Sequence, residues 1–173
     1  MKQLQRYDRE KAVEYAQRWA LSHNPVYANY EDYGGDCTNY ISQCVKAGNV
    51  PFDNNGNDVL KKWYWYSEYS RTPTWSAAEP FYKYIIGNNN ENTQNVGIYT
   101  RLSSYNELEL GDIVQLLYDG RAYHNMMITE VVLEGDYLVD YLVCQHTYNL
   151  LNYPLSMKEG EKRYIKILGY YSW

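Results

Sequence analysis

The hydrophobic period of this chain changes once, near residue 96, from about 3.6 residues to about 2. Upstream, apolar residues recur at three-to-four spacing; downstream they alternate with polar ones. Helices therefore come first and antiparallel strands second, without the strand–helix alternation that a parallel sheet needs. An α+β fold is expected, with a helical part over about 7–87 and a sheet part over about 96–171. No repeat and no Pro-, Gly- or Ser-rich linker divides the 173 residues, so 1–173 reads as a single domain. A chain of this length buries a core without disulfides or a structural metal.

A first helix is expected over 8–22, with Asp8 as N-cap, Ala12, Val13, Ala16, Trp19 and Ala20 on one stripe, and Asn24-Pro25 ending it. A loop over 26–35 carries Tyr27, Tyr30 and Tyr33. A second helix opens at Asp36 as N-cap; Cys37, Tyr40, Ile41, Cys44 and Val45 share one face, and Gly48 and Pro51 stop it. Residues 53–74 give a loose, tryptophan-containing pattern. Ser76 and Glu79 read as a capping box for a short helix to Gly87, and asparagine-rich 88–95 reads as a loop. Strands are expected over 96–102, 112–117, 124–133, 137–147 and 164–171, about five in all.

Sixteen Lys and Arg against 21 Asp and Glu give a net charge of −5. No basic cluster offsets it, which excludes nucleic acid as an expected partner. No run approaches the roughly 18 apolar residues of a membrane helix, and the first residues lack the apolar region of a signal peptide. Three cysteines cannot all pair. Cys37 and Cys44, on one helix, would stand about 10.5 Å apart, too far for a bridge. The 22 Tyr and five Trp, against two Phe, can serve both as core rings and as ligand-facing surfaces.

The residues that could carry chemistry are Cys37, His124 and His146. Cys37 follows Gly34-Gly35-Asp36 and falls in the first turn of its helix, where the dipole favours thiolate. The glycines allow a substrate backbone to come close. Asp36 opposes the thiolate unless its carboxylate caps the helix. Cys37 also lies on the apolar stripe, so taken alone it reads equally as core; Cys44 reads as core.

His124 opens a strand, where a polar residue can face a cleft. If Glu134-Gly135-Asp136 is a three-residue turn, Leu133 pairs with Tyr137 and His124 falls opposite His146, within reach of it. A two-residue turn brings Gln145 or Thr147 there instead. His23 reads as a helix-terminal residue facing the dipole, and Asp112 as a turn residue. Cys144 and His146, with His124, form a soft ligand set that lacks the paired spacings of a zinc site, so no metal is expected.

The run Tyr33-Gly34-Gly35-Asp36-Cys37-Thr38-Asn39-Tyr40-Ile41-Ser42-Gln43, with Gly48 after it, resembles the nucleophile region of papain-like bacterial amidases. In particular it resembles the family described as Putative amidase domain, related to the CHAP and NlpC-type cell-wall hydrolases. Trp75-Ser76, Gly111-Asp112-Ile113-Val114-Gln115-Leu116, His124 and Gln145-His146-Thr147 through Asn152, Pro154, Leu155 and Ser156 follow in order, so the resemblance covers about 7–171.

It implies a papain-like fold, with the nucleophile helix packed on the antiparallel sheet. Cys37 would be the nucleophile, His124 the base and His146 the third polar residue of the site. The Cys37 N–H would be one oxyanion donor and Tyr30 or Tyr33 a second, with Asp36 and Trp75 also at the substrate site. The implied activity is cysteine-dependent amide hydrolysis through a thioester, on peptide bonds of the bacterial cell wall. A monomer acting on a peptide or peptidoglycan-like substrate at the envelope or outside the cell is expected, with no cofactor. Two other readings stand beside it. One is an acyl transferase using the same Cys–His site; the other is a non-catalytic, aromatic-rich module binding wall or carbohydrate.

Overall fold

The computed structural model describes residues 1–87 and 96–173, so the loop expected over 88–95 lies outside the described residues. Among the described residues there are four α-helices: α1 (Arg9–Trp19), α2 (Cys37–Ala47), α3 (Pro73–Ser76) and α4 (Ala78–Gly87). The main strands are β1 (Gln3–Gln5), β4 (Gly97–Ser103), β5 (Ile113–Tyr118), β6 (Arg121–Glu134), β7 (Tyr137–Gln145), β8 (Leu150–Pro154) and β9 (Glu161–Ser172). They form one seven-stranded sheet in the order β1-β9-β5-β6-β7-β8, with β4 also paired to β9. All pairings are antiparallel. A small hairpin, β2 (Trp65–Ser67) with β3 (Ser70–Arg71), stands apart. The expected α+β class is found.

Five expected strands correspond to β4, β5, β6, β7 and β9; in the large sheet β1 and β8 are additional. Both are too short for alternation to register, and β8 is interrupted by Asn152 at φ 48°. α1 ends at Trp19 rather than at residue 22. The capping box of Ser76 and Glu79 does not form. Pro73 at the first turn starts α3 instead, and Ala77 is extended between α3 and α4. The Glu79 carboxylate is drawn to the neighbouring sheet, accepting from the Ala122 N–H at 2.7 Å.

The β6–β7 hairpin turns through two residues, Gly135 and Asp136, because Glu134 pairs with Tyr137. The three-residue turn is therefore corrected; Gly135 at φ 61° supplies the left-handed conformation a two-residue turn needs. Two bulges follow along the hairpin, and pairing runs out at Met127 opposite Cys144. His124 thus lies past the paired region, and counting outward from the turn does not fix its neighbour.

The sheet buries both faces. Ile113, Met127, Cys144, Ile165 and Ile167 face α2, Phe81, Ile85, Trp63 and Trp75, whereas Val114, Leu116, Met126, Ile128, Tyr141 and Val143 form a second core with Leu108 and Leu155. Adjacent pairs such as Met126 and Met127 serve opposite cores, which follows from the two-residue period of a strand.

α2 sits between the sheet and the other helices, and every residue from Cys37 to Val45 is buried. Its apolar stripe accounts for half of this. The opposite face is polar and fully partnered. Asn125 Nδ2 donates to Thr38 Oγ1 at 2.9 Å, and the Trp75 indole donates to Asn39 Oδ1 at 2.8 Å. The Trp63 indole donates to Ser42 Oγ at 3.1 Å, and the Tyr15 hydroxyl to Gln43 Oε1 at 2.7 Å. Trp75 is therefore a core residue with 0 % exposure, not part of a substrate surface. Its ring packs on Trp63 and its N–H is spent on α2.

Trp75→Ala is expected to cost about 3–5 kcal/mol, the range for emptying a buried aromatic site. Urea unfolding followed by far-UV circular dichroism measures it. Trp75→Phe, which keeps the ring but orphans Asn39 Oδ1, should fall between native and Trp75→Ala.

Candidate active site

The chain reaches α2 through a short helical turn, Glu31–Tyr33, followed by Gly34 and Gly35 at φ 99° and 108°. These angles suit glycine alone, and a Cβ on Gly35 would lie 3.1 Å from Thr147 Oγ1. Thr147, just past β7, holds the loop. Its hydroxyl accepts from the Asp36 N–H at 2.9 Å, and its N–H donates to Glu31 Oε1 at 2.8 Å. The loop and the far end of the sheet are thus laced together across more than 100 residues of sequence.

Cys37, the first residue of α2, has its Sγ 3.7 Å from Thr38 Oγ1 and 3.9 Å from the Tyr123 carbonyl. Burial pushes this thiol up from its ordinary value; donation from the Asn125 N–H and from Thr38 only partly offsets it. Desolvation, the largest of these influences, opposes the thiolate that the first turn of a helix would favour. The expectation of a thiolate set by the dipole is corrected accordingly.

His124 stands beside Tyr123 on β6 and is also buried. Its Nε2 lies 2.9 Å from Gln145 Oε1. The Gln145 amide nitrogen donates to the Thr147 and Tyr148 carbonyls at 3.0 and 2.8 Å, which leaves its oxygen for the histidine. Nε2 of His124 must then donate, so Nδ1 carries the lone pair. Burial depresses the His124 pKa to about 4, with the Gln145 bond pulling the other way. Near neutrality the ring is an uncharged base.

Two clefts meet at Cys37. One, of about 600 Å³, is lined by Cys37, His124, Gln145, Tyr148, Tyr153 and Lys158 among others. The second, of about 450 Å³, is lined by Tyr30, Tyr33, Arg71, Glu79 and Tyr123. Gly34, Gly35, Cys37 and Tyr123 border both. Exposed tyrosines do line these clefts: Tyr33, Tyr123 and Tyr148 are 80, 54 and 89 % exposed. The Tyr30 hydroxyl accepts from the Trp65 indole at 3.0 Å, keeping its own proton free to donate.

The structure brings Cys37 and His124 onto one cleft but does not bring His146 to them. Gln145 occupies the place beside His124. His146 turns instead behind the nucleophile loop. Its Nδ1 is 2.6 Å from Asp36 Oδ2, its Nε2 is 2.6 Å from the Trp19 carbonyl, and its ring stacks on Tyr40. Asp36 does not cap α2 with its side chain. Oδ1 accepts from the Tyr30 N–H at 2.9 Å and from Asn39 Nδ2 at 2.8 Å, so this buried carboxylate is a loop tie, not a substrate contact.

Counting outward from a Gly135-Asp136 turn brings Thr147 opposite His124, so the Gln145 contact is not read from the turn; it arises where the β6–β7 pairing has run out, past Met127 and Cys144. The soft set of Cys144, His146 and His124 is not assembled: Cys144 faces Thr129 and Asn152. Among the described residues, four potential ligands do gather elsewhere, namely His23, Glu31, Asp36 and His146.

Because the folded state holds His124 below the ordinary 6.5, the unfolded chain takes up its proton first as pH falls. This contribution is fully present above pH 6.5 and is lost as pH falls towards 4. Urea midpoints across that window should fall more steeply for the native chain than for His124→Gln, the difference reaching on the order of 3 kcal/mol.

The family model described as Putative amidase domain matches residues 6–168. The chain is 31% identical over 171 residues to YjcM of Bacillus subtilis (strain 168), a protein described as uncharacterized, covering 92% of this chain and 36% of that one. It is 32% identical over 124 residues to YhbB of the same organism, also uncharacterized, covering 70% of this chain and 37% of the relative. It thus spans little more than a third of the length of these curated relatives. No solved structure matches it. With the match extending over nearly all of its length, the chain belongs to the Putative amidase domain family.

Proposed function

We propose that the chain hydrolyses amide bonds with Cys37 as nucleophile and His124 as general base, on a papain-like plan. The observation that carries this reading is the shared cleft: the thiol at the start of α2 and the Nδ1-basic imidazole on β6 open on the same space. As Sγ attacks the carbonyl carbon, its proton passes to His124 Nδ1. Both groups rest uncharged, since burial raises the thiol and lowers the imidazole, so proton transfer accompanies attack.

The developing oxyanion is received by the Cys37 N–H, which as the first donor of α2 has no partner within the helix. The Tyr30 hydroxyl is the second donor, its proton being left over after it accepts from Trp65. The C–N bond then breaks as His124 returns the proton to the leaving amine. Water, deprotonated by His124, attacks the thioester, releasing a carboxylic acid and restoring the thiol. Gln145 is a positioning residue that fixes the His124 tautomer.

The substrate reading is a peptide of the bacterial cell wall, met at the envelope. Two clefts flanking one nucleophile suit a chain that extends both ways from the scissile bond, and exposed tyrosine faces suit peptide and sugar. Purified chain incubated with stem peptides of peptidoglycan should release new amines, with a thioester on Cys37 seen by mass spectrometry after acid quench. Cys37→Ala should abolish release, and His124→Ala should lower kcat by about 10²–10⁴-fold. Gln145→Ala should lower kcat less than His124→Ala, with KM little changed. Turnover by Cys37→Ala equal to native would overturn the assignment.

A further inference from the structure

We infer that His23, Glu31, Asp36 and His146 form a divalent metal site behind the nucleophile loop, of a kind suited to zinc. The four ligand atoms all lie within 4.8 Å of one another. His23 Nε2 is 3.6 Å from Asp36 Oδ2 and 3.9 Å from Glu31 Oε1. Bonds of about 2.0–2.2 Å in a tetrahedral zinc site set ligand separations of about 3.3–3.6 Å. To admit the ion the 2.6 Å contact of His146 with Asp36 has to open, and wider separations such as the 3.9 Å from His23 to Glu31 have to close by a few tenths of an ångström.

Three observations point to a cation there. First, His23 Nε2 is a buried nitrogen with no hydrogen-bond partner, and it is aimed at two carboxylates. Second, the Trp19 carbonyl takes the Nε2 proton of His146, leaving Nδ1 to meet the Asp36 carboxylate. Only a cation on that line, a proton or a metal ion, makes the contact attractive. Third, among the described residues neither Glu31 nor Asp36 is paired with a lysine or arginine; their ionic neighbours are these two histidines.

The surroundings are those that hold metal ligands in place. Asp36 Oδ1 accepts from the Tyr30 N–H and Asn39, and Glu31 accepts from the N–H and hydroxyl of Thr147. A histidine ligand that donates its other nitrogen to a backbone carbonyl, as His146 does to Trp19, is the usual arrangement. Two imidazoles and two carboxylates suit a borderline ion such as zinc and not calcium or magnesium, which take oxygen. The ion would join the end of α1, the glycine loop, the start of α2 and the end of β7. The site stands whether or not Cys37 is a nucleophile.

The test is zinc titration of the tag-free chain after chelator dialysis, by isothermal calorimetry, with cobalt(II) substitution read in the visible spectrum. One ion per chain is expected, with a four-coordinate cobalt spectrum lacking a thiolate charge-transfer band and unchanged in Cys37→Ser. His23→Ala should weaken zinc by at least about 100-fold, the upper end of what loss of a merely orienting residue costs. His23 has no hydrogen bond at Nε2 to lose, so this variant should keep its fold. Should it not, X-ray absorption of the native zinc form decides, two imidazoles and no sulfur being expected. Absence of stoichiometric binding, binding that His23→Ala leaves intact, or sulfur ligation would each overturn the site.

Discussion

A helix buried on every side has to find partners for its polar face, and α2 is such a helix. Thr38, Asn39, Ser42 and Gln43 all lie out of water. Each buried polar group left unpaired would cost about 1–3 kcal/mol. The partners come from everywhere else: Asn125 on β6, Trp75 on α3, Trp63 in the segment before β2, and Tyr15 on α1. Each bond fixes both a side chain and an element. The tryptophan-containing stretch, loose as a sequence pattern, is thereby committed to one place against α2.

The same constraint sets the chemistry at Cys37. A helix held this deep presents its first residue at the base of a cleft and not on a surface. Desolvation then drives the thiol and the His124 imidazole both towards their neutral forms. Asn125 links the two halves of the site: its side chain bonds Thr38 while its neighbour His124 faces the cleft.

Period and punctuation made much of this legible. The switch of period near residue 96 located the sheet and the Gly-Gly-Asp-Cys run located the start of α2, whereas His124, read as opening a strand, is the fourth residue of β6. What failed was arithmetic over distance. One residue of turn length moves the count opposite His124 from His146 to Thr147, the two bulges cancel, and Gln145 reaches His124 only where the pairing has run out past Met127 and Cys144. Trp75 was misplaced for another reason: an indole beside a motif looks the same whether its N–H faces a ligand or a buried asparagine. Glu31 carried no local signal, because its role depends on Thr147, more than 100 positions away.

The order of the sheet has a consequence for how the chain comes to exist. β9 pairs with β1, β4 and β5, and Gln3 lies opposite Ser172. A chain emerging from its N-terminus can form α1 and α2 early, but it cannot close the sheet until the last strand is released. Thr147, which ties the glycine loop, and Gln145, which orients His124, also arrive late. Until β9 is released Cys37 therefore sits on an unsupported helix, and its cleft assembles only after nearly the whole domain has left the ribosome.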